Sequence, residues 1–293
     1  MSGMHYEGNH IIRPPSEARS ILLQVTVGCS HNKCIFCPTY KGVRFKVKPD
    51  EIILKDLDYA ANYYFNVKRL FIMDGDALIL PQKKLVWLLE TINKKLPLVE
   101  RIGIYANAKA LRRKSLKELE ELKDLKLGII YYGIETGNDD VLKFIKKGTT
   151  HEELYEQGRK VIEAGIILSC TVLLGIAPKE KSYAHAVDTG KLLTKIDPDY
   201  VGALTLMIVP GTELYDMVQR GEFEPLNQRE LLIELRNMLE STNMSHGLFS
   251  SNHASNYLPL KVKMPEEKEQ ALKMLDMALK GDIPLREEWM RGL

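Results

Sequence analysis

Three cysteines lie within nine residues of this chain: Cys29, Cys34 and Cys37, in the spacing C-x4-C-x2-C. Three thiolates on one short loop are suited to a metal centre. A [4Fe–4S] cluster is usually held by four cysteines, so a cluster held by these three would leave one iron open to a ligand that is not protein. The spacing therefore favours an enzyme over an electron carrier, with a non-catalytic iron–sulfur or zinc protein as the alternative from another class.

Cys170 is the only other cysteine in the sequence. It lies in an apolar run that is predicted to form a strand, and a lone cysteine in such a run usually serves as a small buried residue. We therefore expect Cys170 to be buried and inert. A second [4Fe–4S] cluster would need three or four further cysteines, and the sequence does not contain them.

The composition is that of a globular protein with a large core. The 293 residues include 45% hydrophobic residues, with 41 Lys and Arg against 39 Asp and Glu. This balance gives no sign of the concentrated basic face of a nucleic-acid binder. Two basic runs, residues 41–48 and 112–114, are expected to be solvated loops or helix starts. The clustered cysteines, the lack of an apolar N-terminal signal and the lack of a membrane-length apolar run predict a cytoplasmic protein.

The elements that must position the cysteines alternate between strands and helices. Six short apolar runs are predicted to be strands: 20–27, 69–73, 101–106, 126–134, 166–174 and 200–207. Near-continuous apolar strands separated by helices are typical of a parallel sheet covered by helices. We predict an α/β fold, a partial (β/α)6 barrel of parallel strands with a C-terminal helical extension. The cysteine loop, residues 29–37, follows the first strand, which is where active sites of such folds lie.

Three segments are expected along the chain: an N-terminal segment over 1–19, the partial barrel over 20–226 and the extension over 227–293. The extension contains helical patterns over about 229–241 and 265–280, joined by a polar loop. Helix starts are predicted at Asp50 as an N-cap, at Pro81 in a first turn, and at two capping boxes that begin at Ser115 and Thr150.

Two further motifs follow predicted strands. Asp74-Gly-Asp-Ala77 comes after the second strand, and Gly133-Ile-Glu-Thr-Gly137 ends the fourth. Together with the cysteine run they resemble the radical S-adenosylmethionine (SAM) superfamily, in the branch of oxygen-independent coproporphyrinogen oxidases and methylthiotransferases. The resemblance covers roughly residues 20–220. It departs from the common pattern in a four-residue spacing between Cys29 and Cys34, where three is usual, and in Ala77, where a proline is usual.

The resemblance implies a [4Fe–4S] cluster on Cys29, Cys34 and Cys37, with SAM as the ligand of the open iron. It implies that Phe36 lies near the adenine, that the Asp74–Asp76 motif lines the site for the amino group of SAM, and that Glu135 bonds polar atoms of the cofactor. The full set of candidate cofactor-binding residues is Phe36, Asp74, Gly75, Asp76, Asn107, Glu135, Ser169 and Arg159. Structural alternatives are an ordinary turn at Asp74–Asp76, a helix cap at Glu135, a hydroxyl of Ser169 bonded to backbone, and a surface arginine at Arg159.

The polar loop over 245–257 is the candidate for substrate specificity. His253 and Tyr257 are candidate catalytic residues, because an imidazole can donate, accept or orient at neutral pH. The alternative is a well-bonded surface turn rich in Asn and Ser.

The predicted function is that of an oxygen-sensitive radical SAM enzyme. SAM would be cleaved reductively to a 5′-deoxyadenosyl radical that takes hydrogen from a small organic substrate, with electrons from a flavodoxin or ferredoxin type of donor. A tRNA- or protein-modifying enzyme of the same superfamily is the alternative, and the charge balance and missing accessory domain argue against it. Neither nucleic acid nor membrane is an expected partner. The cysteine count disfavours methylthiotransferases and other enzymes with auxiliary clusters, and no Asp-x-His-x-x-Gly run indicates a corrinoid domain.

Overall fold

The computed structural model describes residues 3–8 and 12–292, and the chain forms two compact units. Unit 1 comprises Met1–Asn32, Thr39–Tyr132 and Lys160–Ile167. Unit 2 comprises Lys33–Pro38, Gly133–Arg159 and Leu168–Leu293. Residues 1, 2 and 9–11 of the predicted N-terminal segment, and residue 293, lie outside the described residues. The division into three segments stays a prediction.

Unit 1 contains a parallel sheet flanked by helices. Its elements in chain order are β1 (Ile21–Gln24), β2 (Thr26–Val27), β3 (Lys46–Val47), α1 (Asp50–Tyr63), β4 (Arg69–Met73), α2 (Gln82–Lys95), β5 (Arg101–Ala106), α3 (Ala108–Leu111), α4 (Leu116–Asp124) and most of β6 (Leu127–Glu135). The pairs β1–β4, β4–β5 and β5–β6 are parallel. The short strands β2 and β3 pair antiparallel in a separate ladder.

Unit 2 repeats the alternation and ends in an antiparallel pair. Its elements are α5 (Asp139–Phe144), α6 (His151–Glu163, which ends in unit 1), β7 (Ile167–Leu174), α7 (Ser182–Ile196), β8 (Tyr200–Thr205), α8 (Glu213–Gln219), α9 (Gln228–Ser241), β9 (Leu248–Ser250), β10 (Lys261–Lys263) and α10 (Lys268–Lys280). β7–β8 and β8–β9 are parallel, whereas β9–β10 are antiparallel. No helix among the described residues combines the length and apolar character that a bilayer crossing needs.

All six predicted strands are confirmed, most with ends shifted by one or two residues. The predicted strand over 20–27 is divided at Val25, because its second half pairs with β3 instead of continuing beside β4. The extension contains its two predicted helices and, in addition, β9 and β10, which were not predicted from the sequence. Strands of two or three residues are too short to show a period of two, so β3, β9 and β10 left no pattern to detect.

The structure confirms one of the predicted helix starts and contradicts two others. The capping box at Ser115 is confirmed, since its side chain accepts from the Glu118 N–H and Glu118 accepts from the Ser115 N–H. The predicted N-cap at Asp50 is wrong: Asp50 is already helical, and Pro49 occupies the cap position. Pro81 likewise precedes α2 instead of lying in its first turn. A proline before a helix supplies no side-chain acceptor, so the first N–H groups of these helices are not capped by a side chain.

Two lysines of the basic runs are buried, which contradicts the expectation of solvated loops. The side chain of Lys48 is 0% exposed, and its ammonium lies 3.1 Å from the Asp56 carboxylate, whose side chain is also 0% exposed. Lys114 is 4% exposed and donates to the Leu80 carbonyl at 2.6 Å. A run of charged residues in the sequence does not reveal that one of its lysines is bonded to a buried acceptor in the fold.

Each unit has its own apolar cluster. In unit 1, Phe71 on β4 contacts Tyr105 on β5 and Tyr131 on β6 edge to face. The centroid of the Phe71 ring lies 5.0 Å from that of Tyr105 and 5.6 Å from that of Tyr131. In unit 2, Ile35 packs with a cluster drawn from α5, α8 and the segments after β7 and α8. Ile35 belongs to the cysteine loop, so this cluster anchors part of that loop.

Candidate active site

The first part of the cysteine loop, Cys29–Asn32, belongs to unit 1 and is held by side-chain hydrogen bonds. The Ser30 hydroxyl donates to the Asp76 carboxylate, and the Lys109 ammonium donates to the Ser30 carbonyl at 2.8 Å. Asn32 has a φ of 42° and donates from its amide to the Tyr40 carbonyl at 2.8 Å. Cys29 is half-buried, and its thiol is free of any disulfide.

The second part of the loop, Lys33–Pro38, belongs to unit 2 and is held by main chain and apolar contacts. The Ile35 N–H donates to the Ile145 carbonyl at 3.2 Å, and the Ile35 carbonyl accepts from the Leu214 N–H at 3.0 Å. Ile35 is 1% exposed, and Phe36 packs on the same apolar cluster. Cys34 and Cys37 are half-buried and form no disulfide, so the anchoring leaves both side chains partly exposed.

Asp74 occupies a strained position at the end of β4. Its φ is 76°, in the left-handed region that residues other than Gly and Asn rarely adopt. Its carboxylate accepts from the Tyr40 hydroxyl at 2.9 Å and from the Gln24 amide at 2.6 Å. Burial raises the pKa of Asp74, while these two hydrogen bonds and the charge of Lys48 oppose that shift.

Asp76 is fully buried and only partly satisfied. Its Oδ2 accepts from Ser30, but among the described residues its buried Oδ1 has no hydrogen-bond partner. Burial raises the pKa of Asp76 from 3.8 to about 6, although interactions with Ser30, Asn107 and Lys109 lower it. A buried carboxylate oxygen without a donor costs free energy, and a cationic amine is the ligand that would offset it best.

Gly75 lies where any side chain would collide. A Cβ built on it would lie 2.6 Å from the Tyr40 ring, 3.0 Å from the Cys29 Cβ and 3.2 Å from the Gly28 carbonyl. Glycine is thus required sterically beside the first cysteine. Asn107, at the end of β5, caps α3 by accepting from the Ala110 N–H at 2.9 Å.

Glu135 ends β6 with a φ of 66° and is 8% exposed. Its carboxylate accepts from the Lys147 ammonium at 2.7 Å, in an ion pair whose two side chains are about one-tenth exposed. The next residues continue into a buried network. Thr136 contacts His185 Nδ1 at 2.7 Å, and the Gly137 N–H donates to the Thr189 hydroxyl at 2.9 Å.

His185 and Glu234 complete this network, and neither residue was predicted from the sequence. Glu234, on α9, accepts from the Gly175 N–H at 2.6 Å and from the Ser182 hydroxyl. Its carboxylate lies 3.6 Å from His185 Nε2, and both side chains are 0% exposed. Burial lowers the pKa of His185, which favours the neutral imidazole. A histidine and a glutamate on amphipathic helices resemble surface residues in sequence, so no local signal identified them.

The remaining cofactor candidates lie on or beside β7. Burial alternates along this strand, with Ser169 half-buried and Cys170 fully buried. Cys170 is therefore buried as expected, and burial raises its pKa far above the ordinary range of a thiol. Arg159, on α6, donates to the Ile196 carbonyl at 3.1 Å, at the end of α7. Cofactor contacts of Ser169 and Arg159 stay predictions.

His253 and Tyr257 belong to a hydrogen-bonded turn in unit 2. His253 Nδ1 lies 2.9 Å from the Ser255 hydroxyl, and burial followed by the charge of Arg286 lowers the pKa of His253. Tyr257 donates to Glu288 and stacks against the Arg291 guanidinium, 4.1 Å from the ring centroid. Both side chains thus have structural partners, and their catalytic roles stay predictions.

Comparison with known proteins decides the family. A family model described as the Radical SAM superfamily matches residues 23–187, more than half of the chain. The chain belongs to the radical SAM superfamily. Enzymes of this superfamily use a [4Fe–4S] cluster and SAM, so the predicted pair of cofactors is confirmed at the level of the family.

Relatives of this radical SAM protein have varied functions. An uncharacterized protein of Methanocaldococcus jannaschii is 24% identical over 232 residues, which cover 75% of this chain and 70% of that protein. The heme chaperone HemW of Bacillus subtilis (strain 168) is 22% identical over 185 residues, covering 62% and 48%. Thus the chain spans about half the length of the heme chaperone.

A solved structure shares the fold. Coproporphyrinogen III oxidase (HemN) from Escherichia coli aligns with a TM-score of 0.54 and 16% identity, covering 76% of this chain and 52% of that one. This likeness, together with the parallel strand pairs, confirms the predicted α/β fold class of the partial-barrel type.

The residues of this radical SAM protein fit the two cofactors. Cys29, Cys34 and Cys37 are half-buried and form no disulfide, so their sulfur atoms are of a type that suits iron. The Asp76 Oδ1, which has no hydrogen-bond partner among the described residues, suits an amine, and Gly75 keeps the backbone beside Cys29 clear of side chains. Within the described parts of the chain, no three His, Cys, Asp or Glu side chains come close enough together to hold a single metal ion. In a cubane each iron takes its own cysteine, so a cluster does not require thiolates gathered around one ion.

Proposed function

We propose that this protein is a radical SAM enzyme in which Cys29, Cys34 and Cys37 hold the [4Fe–4S] cluster and Asp76 receives the amino group of SAM. The observation that carries the proposal is the buried Asp76 Oδ1, which has no hydrogen-bond donor in the described part of the chain. Asp76 is joined through Ser30 to the start of the cysteine loop. A buried carboxylate that a cationic donor would stabilise therefore lies beside the first proposed iron ligand.

When bound, the cluster would supply the electron for reductive cleavage of SAM, the chemistry that prepares hydrogen-atom removal from the substrate. The chain's own residues bind and orient. Asp76 would accept from the SAM ammonium, and Gly75 leaves room for backbone to approach it. Lys109 and Ser30 hold the first part of the loop by hydrogen bonds, so the segment that carries Cys29 is positioned before SAM arrives.

In unit 2 we propose cofactor roles for Phe36, Glu135, Ser169 and Arg159, and for Asn107 in unit 1. The geometry of Glu135 supports such a role, because its left-handed backbone and its ion pair with Lys147 fix a carboxylate at a strand end. We propose His253 and Tyr257 as the residues that face substrate. Burial lowers the pKa of His253, so a neutral imidazole able to accept a proton is available at pH 7.

The proposed substrate is a small organic molecule, and the proposed electron donor is a flavodoxin or ferredoxin type of protein in the cytoplasm. The near balance of 41 basic and 39 acidic side chains supports a small molecule over RNA, which would require many phosphate contacts.

The proposal can be tested by reconstituting the protein anaerobically with iron and sulfide, reducing it with dithionite and adding SAM. We expect methionine and 5′-deoxyadenosine in equal amounts. Replacing Cys29, Cys34 or Cys37 with alanine removes one iron ligand. Each variant should therefore lose the visible absorbance of the cluster and form neither product.

Cys170→Ala is the matched control, since Cys170 is buried away from solvent, and it should retain both cluster and products. A fully loaded wild-type cluster that leaves SAM intact would refute the proposed function, as would a protein that binds zinc alone.

A further inference from the structure

The spacing between Cys29 and Cys34 contains one residue more than the common pattern, and Asn32 shows how the extra residue is accommodated. Asn32 has a φ of 42°, a conformation that asparagine tolerates better than other residues with a side chain. Its amide nitrogen donates to the Tyr40 carbonyl at 2.8 Å and lies 3.4 Å from the Val43 carbonyl. The loop therefore folds back at Asn32 onto the segment that follows the last cysteine.

Tyr40 connects this fold-back to the Asp74–Asp76 motif. Its hydroxyl donates to Asp74 Oδ1 at 2.9 Å, and its ring occupies the space beside Gly75. One residue thus gives its main-chain carbonyl to Asn32 and its side chain to Asp74. Burial and the charge of Asp74 raise the pKa of Tyr40, so its hydroxyl remains a donor at every physiological pH.

Asp74 is held from a second side by Gln24, which is fully buried in β1. The Gln24 amide nitrogen donates to Asp74 at 2.6 Å and to the Glu7 carbonyl at 2.8 Å, and its oxygen accepts from the Glu7 N–H at 2.7 Å. Gln24 is itself held by the N-terminal segment, so Asp74 is restrained from two sides, by Gln24 and by Tyr40. Loss of the Tyr40 hydroxyl would leave only the Gln24 restraint.

We infer that Asn32 and Tyr40 form a brace that links the first part of the cysteine loop to the Asp74–Asp76 motif, with both residues acting as positioning residues for SAM. The inference rests on the proposed function. Losing either end of the brace frees Asp74 to leave its strained conformation, and the adjacent Asp76 carboxylate then loses its fixed position.

Tyr40→Phe and Asn32→Gly test the brace. Phenylalanine keeps the ring beside Gly75 and removes only the hydroxyl, while glycine keeps the left-handed φ and removes only the amide. In reconstituted protein, iron and sulfide per chain should stay at wild-type levels. The SAM concentration that gives half of the SAM-induced change in the cluster spectrum should rise about tenfold in Tyr40→Phe, which loses a hydrogen bond to a carboxylate. It should rise by up to about tenfold in Asn32→Gly, which loses a hydrogen bond to a main-chain carbonyl.

The double variant Asn32→Gly, Tyr40→Phe separates a brace from two independent effects. Residues of one network are not additive, so the double variant should be no more than about two- to threefold weaker than either single variant, instead of about a hundredfold weaker than wild type. Tyr131→Phe is the control. It also loses a phenol-to-carboxylate hydrogen bond, to Glu17 at 2.6 Å, and it should bind SAM as the wild type does.

The outcomes are distinguishable. Wild-type protein that holds no cluster, or whose cluster spectrum ignores SAM, would refute the proposed function and with it the brace. Wild-type protein that responds to SAM, with Tyr40→Phe and Asn32→Gly responding equally well, would refute the brace alone. A double variant that shows the product of the two single effects would also overturn it.

Discussion

Carboxylates at strand ends are the residues that set this site apart. Asp74 directly follows β4 and Glu135 is the last residue of β6, and both have positive φ values, 76° and 66°. Such conformations cost on the order of 1–3 kcal/mol each and persist where the surroundings enforce them. Here Tyr40 and Gln24 hold Asp74, and Lys147 holds Glu135. Strain of this kind at two candidate cofactor residues indicates that the position of each carboxylate matters more than local stability.

Asp76→Asn should make the protein more stable and the site weaker. Because burial raises the pKa of Asp76 from 3.8 to about 6, the folded state binds a proton more readily than the unfolded chain between these values. The free energy of unfolding therefore falls as pH rises from about 4 to about 6 and stays lower above that range. Asparagine removes this cost, so we expect a gain of about 1–3 kcal/mol at pH 7.5 that vanishes below about pH 4.

Thermal unfolding of apoprotein across pH measures this difference, and SAM titration of loaded protein should show an affinity loss of at least about tenfold. Asp58→Asn, on the exposed face of α1, is the control and should change neither quantity by much, because exposed ion pairs contribute little. A variant that is less stable at pH 7.5 and binds SAM normally would assign Asp76 a purely structural role.

Short segments between the elements, more than the elements themselves, decide where the site residues lie. The long apolar strands could be predicted from sequence because burial on both faces of a parallel sheet leaves a continuous apolar run. The left-handed turns at Asn32 and Asp74, and the short ladder of β2 and β3, have no such pattern. These segments bring Tyr40 to Asp74, although the two residues are 34 positions apart in the chain.

Gly75→Ala tests the tight turn after β4. The added methyl group would lie 2.6 Å from the Tyr40 ring and 3.0 Å from the Cys29 Cβ, so the ring or the loop must move, at a cost of about 1–3 kcal/mol. We expect lower iron incorporation and weaker SAM binding. Gly42→Ala is the control: its φ is 75° but nothing lies within 4 Å, so it should cost about 1 kcal/mol of stability and leave iron incorporation unchanged. Equal iron content in both variants would contradict the steric argument.

Stability of the whole molecule draws on a buried ion pair in unit 1. Lys48 and Asp56 are fully buried, and both contact His5 near the N-terminus, through its carbonyl and its N–H. Lys48→Met should cost about 3–5 kcal/mol, because it leaves a buried carboxylate without its cation. Asp56→Leu should cost a similar amount, and denaturant unfolding of both variants measures the loss.

The double variant Lys48→Met, Asp56→Leu should recover part of that loss, because it leaves no unpaired buried charge. The coupling energy of the cycle should reach about 1–3 kcal/mol. A double variant destabilised by the full sum of the two single losses would show that the pair does not act as a unit.

The sequence by itself determined the family, the fold class and the residue types of the chemistry. The three cysteines in nine residues and the two acidic motifs at strand ends are local patterns. Such patterns can be recognised in the sequence because their residues are close together in the chain. The six strands were predictable for the same reason, since each buries a run of its own side chains. The residues matched by the family model, 23–187, include all three patterns.

Only the tertiary structure decided which polar residues are partnered and which are not. Contacts between distant segments bury Lys48 and Lys114 and bring Glu234 to Gly175, 59 positions away. They also leave Asp76 with an oxygen that has no donor among the residues that the structure describes. A side chain's burial and hydrogen bonds depend on neighbours that sequence order does not specify. The extra residue between Cys29 and Cys34 is the clearest case. In sequence it was an unexplained insertion, and in the fold Asn32 turns the chain back onto Tyr40 because an acceptor carbonyl lies there.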